Sequence, residues 1–81
     1  MDDNGISQAI LDAVCARGPG KTICPSEVAR ALHDDWRPLM PAVRRAAQSL
    51  ADSGQVAVTQ KGHPVNAVET RGPIRLGLPQ S

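Results

Sequence analysis

Apolar and polar residues alternate with a helical period in the first part of the chain. Apolar residues recur at the i, i+4, i+7 and i+8 spacing that puts them on one helix face, at Ile6, Ile10, Ala13 and Val14. Gly18-Pro19-Gly20 interrupts this pattern, because glycine tolerates a left-handed turn and proline cannot continue a helical hydrogen-bond ladder. We therefore predict a first amphipathic helix from about Gly5 to Arg17.

Two more segments show the same period. Pro25 and Glu27 suit the first turn of a short helix that closes near His33. A longer helix is predicted from about Pro38 to Ser53, and Gly54 stops it. Its apolar face consists of Leu39, Val43, Ala46, Ala47 and Leu50. Its opposite face, which we expect to be exposed to solvent, carries Pro41, Arg44, Arg45, Gln48 and Asp52.

The period changes from 3.6 to 2 after Gly54, which predicts strands. Val56 and Val58 face one way and their neighbours the other. A second alternating segment contains Ile74, Leu76 and Leu78, and a loop marked by glycine and proline runs between the strands from about Gly62 to Pro73. The short segment Lys21-Thr22-Ile23 is long enough only for a stub strand beside this hairpin.

The order helix, stub strand, helix, helix, strand, loop, strand predicts the fold. It is typical of an α+β winged helix, in which a three-helix bundle with a helix-turn-helix is closed by a C-terminal β-hairpin wing. With 81 residues we expect one domain over positions 1–81. Trp36 is the sole aromatic residue, so the core is predicted to be aliphatic with Trp36 as its largest side chain.

Several segments resemble a known family. They are Gly20 to Ala29 (GKTICPSEVA), Trp36 to Met40 (WRPLM), Val43-Arg44, Gln60 to Gly62 (QKG) and Gly72 to Leu76 (GPIRL). Together they look like a bacterial family of small winged-helix proteins catalogued only as a domain of unknown function. The resemblance covers nearly the whole chain in the right order and implies a winged-helix scaffold. It implies no catalytic residues.

Charge is distributed unevenly along the chain. The formal net charge is only +1, which by itself does not indicate a nucleic-acid partner. Residues 1–36 carry six acidic and three basic side chains, a net −3, whereas residues 37–81 carry six basic and two acidic side chains, a net +4. The positive surface is therefore expected in the second half, with the third helix and the wing.

These cations predict an interface with double-stranded DNA. In a winged helix the third helix enters the major groove, where arginine pairs with guanine edges or phosphates and glutamine with adenine. The wing then flanks the phosphate backbone. The predicted contact residues are Arg44, Arg45 and Gln48 on the third helix, Arg37 at its start, and Lys61, His63, Arg71 and Arg75 on and beside the wing.

Other interpretations of these residues compete with DNA binding. Two arginines and a glutamine are common on any solvated helix face, and a charged hairpin tip can serve solubility alone. His63 stands beside Pro64 and is more typical of a turn residue than of a metal ligand or base. The second hypothesis is a winged-helix module for protein–protein contact or homodimerisation, which the near-neutral charge favours.

Enzymatic, metal-binding and membrane functions find little support. No groups are spaced as acid and base or as nucleophile and base, so we expect no enzyme, catalytic residue, cofactor or metal. Cys15 and Cys24 lack metal-ligand spacing and are interpreted as small apolar side chains. No stretch is apolar enough to span a bilayer, and the acidic start Met1-Asp2-Asp3-Asn4 is unlike a signal peptide, so we expect a cytoplasmic protein.

Overall fold

The computed structural model describes residues 3–79, and the side chains from Gly5 onward. This part of the chain contains three α-helices, one 3-10 turn and four short strands. The helices are α1 (Asp3–Arg17), α2 (Pro25–Leu32) and α3 (Met40–Asp52), with the 3-10 turn at Arg37–Leu39. The strands are β1 (Thr22–Ile23), β2 (Ala57–Gln60), β3 (His63–Pro64) and β4 (Arg75–Gly77).

Local sequence explains where the helices begin and end. Gly18 follows α1 with a φ of +94°, the left-handed conformation that terminates helices. At the start of α2, the carboxylate of Glu27 accepts a 2.7 Å hydrogen bond from the backbone N–H of Cys24, as in one half of a capping box. The predicted third helix divides in two, because the 3-10 turn containing Pro38 precedes the α-helix, whose first turn holds Pro41.

The strands form one antiparallel sheet in the order β1-β4-β2-β3. The predicted stub strand is confirmed, since Ile23 of β1 pairs with Leu76 of β4. The central pair is also as predicted, with Val58 of β2 opposite Leu76. The predicted loop from Gly62 to Pro73 is wrong at its start, where β3 pairs with the end of β2. Two residues that include a proline give no alternating pattern, so the sequence carries no strand signal here.

A two-residue turn, Lys61-Gly62, joins β2 to β3. Both residues have positive φ, +53° at Lys61 and +82° at Gly62. This combination defines the hairpin turn whose twist matches that of the flanking strands. Lys61 is the single non-glycine residue with positive φ among the described positions. The turn therefore places a lysine in a backbone conformation that asparagine or glycine adopts more easily.

The core is aliphatic, as predicted. One buried cluster joins the helices to one face of the sheet and comprises Ile6, Ile10, Val14, Ile23, Val28, Ala29, Val43, Ala46, Ala47, Leu50, Val56, Val58, Ala67, Ile74 and Leu76. Leu39 and Leu78, predicted on apolar faces, are half-buried at its edge. The α+β class is confirmed, and three helices with a small antiparallel sheet are compatible with a winged helix.

Candidate nucleic-acid interface

Arg44 fastens α3 to the segment that precedes β4. Its guanidinium donates hydrogen bonds to the carbonyl oxygens of Thr70 at 2.8 Å, Gly72 at 2.6 Å and Ala67 at 3.4 Å. The side chain is half-buried, so the prediction that α3 presents it freely to solvent is wrong. The physical reason is that carbonyls of an irregular loop have no sheet partner, and an arginine fork satisfies several of them at once.

Gln48 lies one turn further along α3 and holds the same segment. Its Oε1 accepts a 2.8 Å hydrogen bond from the backbone N–H of Ala67, and its Nε2 donates to Asp52 at 2.8 Å. Gln48 is also half-buried, so the prediction of an exposed amide on this face is wrong too. Helical periodicity separates the polar face from the apolar one, but it cannot tell a solvated face from one covered by a loop.

Two further side chains hold the segment that precedes β4, Gln60 from the end of β2 and Asn66 from within the segment. Gln60 at the end of β2 donates from Nε2 to the carbonyls of Arg71 at 2.9 Å and Pro73 at 3.0 Å. The Asn66 side chain accepts hydrogen bonds from the N–H groups of Val68 and Glu69, which makes a tight turn. We call residues 65–73 the fastened loop, because side chains of α3 and β2 hold its backbone. Sequence reasoning missed the roles of Gln60 and Asn66.

Several predicted DNA contacts are exposed. Arg45 is exposed on α3, Arg71 on the fastened loop, and Lys61 and His63 at the β2–β3 turn. The fastening brings the backbone of Arg71 beside both α3 and the end of β2. Among the described residues the one ion pair is Arg17 with Glu27, so no carboxylate pairs with these cations. Glu69 is the single acidic residue of the fastened loop.

Arg75 forms hydrogen bonds between two strands of the sheet. Its Nε donates to the hydroxyl of Thr22 at 2.9 Å, and its terminal nitrogen donates to the carbonyl of Thr22 at 3.0 Å. The guanidinium therefore joins β4 to β1 on the solvent side of the sheet. Although its side chain is exposed, part of its hydrogen-bonding capacity is already used within the protein.

Trp36 lies at the rim of the core. The indole is half-buried and packs against the core cluster, so its predicted position as a plug within the core is wrong. The guanidinium carbon of Arg30 lies 4.6 Å from the ring centroid, and that of Arg37 lies 4.8 Å from it. Both distances fit cation–π contacts. Arg37, a predicted DNA contact, is thus exposed, and its guanidinium packs against an aromatic ring.

An apolar cleft opens on the outer face of α3. It has a volume of about 310 Å³ and is lined by Met40, Pro41 and Val68, with Arg44 and Arg45 beside them. Val68 is 54% exposed and is the exposed large apolar side chain of the described region. Sequence reasoning missed this cleft, because Val68 comes from a loop whose place beside α3 depends on Arg44 and Gln48.

The two cysteines belong to no group of metal-ligating side chains in the described part of the chain. Cys15 is exposed and Cys24 half-buried, neither forms a disulfide, and the Cys24 sulfur accepts a 3.0 Å hydrogen bond from the hydroxyl of Ser26. Between Asp3 and Pro79 no three metal-ligating side chains come together. In the same part of the chain no helix combines the length and the apolar character that crossing a membrane requires.

The fold and this surface define a small α+β protein that is compatible with a winged helix. Hydrogen bonds hold its fastened loop against the third helix. The chain belongs to a family described as "Protein of unknown function (DUF3253)", whose model matches residues 3–79. The resemblance to a domain of unknown function is thereby confirmed. A search of curated proteins finds no match.

Proposed function

We propose that this protein binds double-stranded DNA as a winged-helix, helix-turn-helix protein, with α3 in the major groove. Arg45 would contact base edges or phosphates there, while Arg71, Lys61 and His63 contact the backbone beside it. Arg44 and Gln48 would act as positioning residues that hold the fastened loop against α3. This assignment replaces the direct DNA contact that the sequence alone suggested for them.

One observation carries the proposal: the loop that holds Arg71 is fastened to the helix that holds Arg45. Arg44 bonds the carbonyls on both sides of Arg71, those of Thr70 and Gly72. Gln60 bonds the carbonyl of Arg71 itself, and the Lys61 turn follows Gln60 directly. Hydrogen bonds therefore tie together the three parts of the chain that carry these cations, which supports a shared electrostatic footprint for a duplex.

The cations proposed to contact DNA are also not neutralised by carboxylates in the described part of the chain. None of Arg45, Lys61 and Arg71 forms an ion pair within residues 3–79. Cations that are not neutralised by carboxylates can displace counterions from DNA, which is the main source of affinity for the phosphate backbone. With so few of them, a single copy would bind weakly, and a homodimer on two half-sites would raise the affinity. This role would place the protein in the bacterial cytoplasm, as a regulator of transcription.

The test is fluorescence anisotropy of a labelled random-sequence duplex titrated with the whole protein between ~50 and 200 mM salt. We expect affinity to fall steeply as salt rises. Replacing Arg45 and Arg71 together with alanine should weaken binding and reduce the salt slope by about two, one for each lost phosphate contact. The matched control is Lys21→Ala, which removes an exposed cation at the start of β1 and should change neither quantity. Absence of binding at ~50 mM salt would refute the proposal.

A second function, contact with another protein, is favoured by the apolar cleft of Met40, Pro41 and Val68. Its neighbours Arg44 and Arg45 suit a partner segment that offers an apolar anchor next to carboxylates. Val68→Ser separates the two functions, because it removes the anchor site and leaves every cation in place. Duplex binding that is unchanged in this variant favours DNA as the partner of this face. A protein that binds no duplex but loses self-association on Val68→Ser supports the protein-contact function.

A further inference from the structure

Trp36 brings two positive charges together at the junction of α2 and the 3-10 turn. The guanidinium of Arg30, from α2, and that of Arg37, from the turn, both contact its ring. Because the two centroid distances are 4.6 and 4.8 Å, the two guanidinium carbons lie less than about 10 Å apart. Like charges repel at such a separation, but solvent weakens the repulsion between exposed groups, and the attraction of the ring for each cation offsets it.

The aromatic contacts leave the hydrogen-bond donors of both arginines unused. A guanidinium contacts a ring through its own charge or face, while its N–H groups point outward in its plane. Within residues 3–79 neither Arg30 nor Arg37 donates a side-chain hydrogen bond, and the one ion pair belongs to Arg17 and Glu27. Both arginines are exposed, and within this part of the chain their N–H groups have no oxygen or nitrogen acceptor.

Contact with the indole also restrains these side chains. A free arginine loses considerable rotamer freedom when it binds a ligand, and a fork already held in place loses less. The indole itself is anchored, because it packs against the core cluster. Trp36 therefore prepares both forks for a ligand whose oxygens are spaced to reach them, and phosphate oxygens match a guanidinium in this way.

Two carboxylates lie close by in sequence. Asp34 and Asp35 precede Trp36 directly, both are exposed, and neither pairs with Arg30 or Arg37. They leave the forks unoccupied but reduce the positive potential around them. The site should therefore act through short-range bonds to a phosphate that is already nearby rather than through long-range attraction.

We propose that Arg30 and Arg37, held by Trp36, form a binding site for a phosphate group of the DNA backbone. The assignment of the phosphate to DNA rests on the proposed function. The site joins α2 to the turn before α3, and in helix-turn-helix proteins the helix before the recognition helix crosses the DNA backbone. Trp36 is a positioning residue here, and the arginines are the contacts.

The experiment uses the intrinsic fluorescence of Trp36, the sole tryptophan of the chain, as a local reporter. The whole protein is titrated with a short duplex at ~50 mM salt, while anisotropy of the labelled duplex is measured in parallel. We expect Trp36 emission to change saturably along the same binding curve. Arg30→Gln and Arg37→Gln should each weaken duplex binding about three- to tenfold and reduce the salt slope by about one. The control Lys21→Gln should bind like the wild type.

The outcomes separate this inference from the proposed function. If the duplex binds but neither arginine variant nor Trp36 emission responds, the phosphate site is refuted and DNA binding stands. If the wild type binds no duplex, DNA binding fails, and titration with inorganic phosphate decides the site. A saturable change in Trp36 emission that Arg30→Gln abolishes retains a site for free phosphate, and no change refutes it.

Further variants remain informative if the glutamine variants unfold. Asp34→Asn combined with Asp35→Asn keeps the arginines and removes the nearby negative charge, so it should tighten duplex binding about two- to fivefold at ~50 mM salt. Unchanged or weaker binding would contradict the site. Trp36→Phe should retain most of the affinity because phenylalanine still makes a cation–π contact, whereas Trp36→Leu should lose it. Equal binding by these two variants would contradict the positioning role.

Discussion

The guanidinium of Arg44 donates a 2.8 Å hydrogen bond to the carbonyl oxygen of Thr70, 26 positions further along the chain. A second bond, to Gly72, and a longer one, to Ala67, come from the same side chain. Arg44 therefore makes three of the hydrogen bonds by which α3 holds the fastened loop, and Gln48 makes the fourth.

Replacing Arg44 with alanine should destabilise the protein. The variant loses these hydrogen bonds and leaves loop carbonyls unpaired, which we expect to lower the free energy of unfolding by about 1–3 kcal/mol. Urea or thermal unfolding followed by circular dichroism measures this change. The neighbouring variant Arg45→Ala is the control, because Arg45 is exposed and makes no hydrogen bond to the fastened loop. Equal stability of the two variants would contradict the role assigned to Arg44.

Gly77 of β4 should not tolerate a side chain. A Cβ atom at this position would lie 2.9 Å from the carbonyl oxygen of Lys21 and 3.3 Å from a methyl group of Thr22. Gly77→Ala must therefore push β1 away from β4, at a cost of about 1–3 kcal/mol in thermal unfolding. The control is Ser49→Ala, at an exposed position of α3, which should be neutral or slightly stabilising because alanine has the higher helix propensity. A fully stable Gly77→Ala protein would show that the β1–β4 pairing is looser than described.

Replacing Lys61 with asparagine should stabilise the protein. Its φ of +53° is strained for lysine and better tolerated by asparagine, so Lys61→Asn should raise the free energy of unfolding by about 0.5–1 kcal/mol. The same change should weaken duplex binding, because a proposed backbone contact is lost. Lys21→Asn is the control, since Lys21 has no positive φ and should gain no stability. Destabilisation by Lys61→Asn would mean that the lysine makes a favourable contact in the folded state.

Glu27 should make stability depend on acidic pH. The backbone N–H of Cys24 holds the pKa of the Glu27 carboxyl below its ordinary value, and the Arg17 guanidinium lowers the pKa further. Because the folded-state pKa is depressed, the stabilisation is present above the unfolded pKa of about 4.3 and is lost as the pH falls through the folded value.

The measurement is the melting temperature of wild type and Glu27→Gln at neutral pH and at about pH 3. The variant should be less stable at neutral pH, and the difference should shrink in acid. Glu69→Gln is the control, because Glu69 is exposed and forms no ion pair in the described part of the chain. A difference between wild type and Glu27→Gln that grows in acid would contradict this linkage.

The sequence predicts the fold well because its signals are local and regular. Ile6, Ile10 and Val14 repeat at a helical period and are all fully buried, and Val56 and Val58 alternate as a strand and face the core. The order of these elements leads to the α+β class. The sequence does not predict strand β3, because its two residues pair with β2 only after the Lys61-Gly62 turn reverses the chain.

The candidate site is harder to predict, because it depends on contacts between distant segments. Arg44 and Gln48 stand where a helix usually faces solvent, and no pattern in α3 indicates that a loop about 20 residues later covers them. The pairing of Arg30 with Trp36 likewise joins α2 to the turn before α3. The residue types indicate a positive surface, but only the tertiary structure shows which cations are exposed and which hold the fastened loop.

The brevity of the outer strands limits how copies of this protein could associate. Within residues 3–79 the sheet is bounded by β1 and β3, each of only two residues, and Pro64 in β3 has no N–H to donate. Such edges offer almost no ladder to an incoming strand, so they also protect against edge-to-edge aggregation. We therefore expect a dimer of this protein to use helix surfaces, the fastened loop or the outer face of the sheet rather than a continuous sheet shared between two chains.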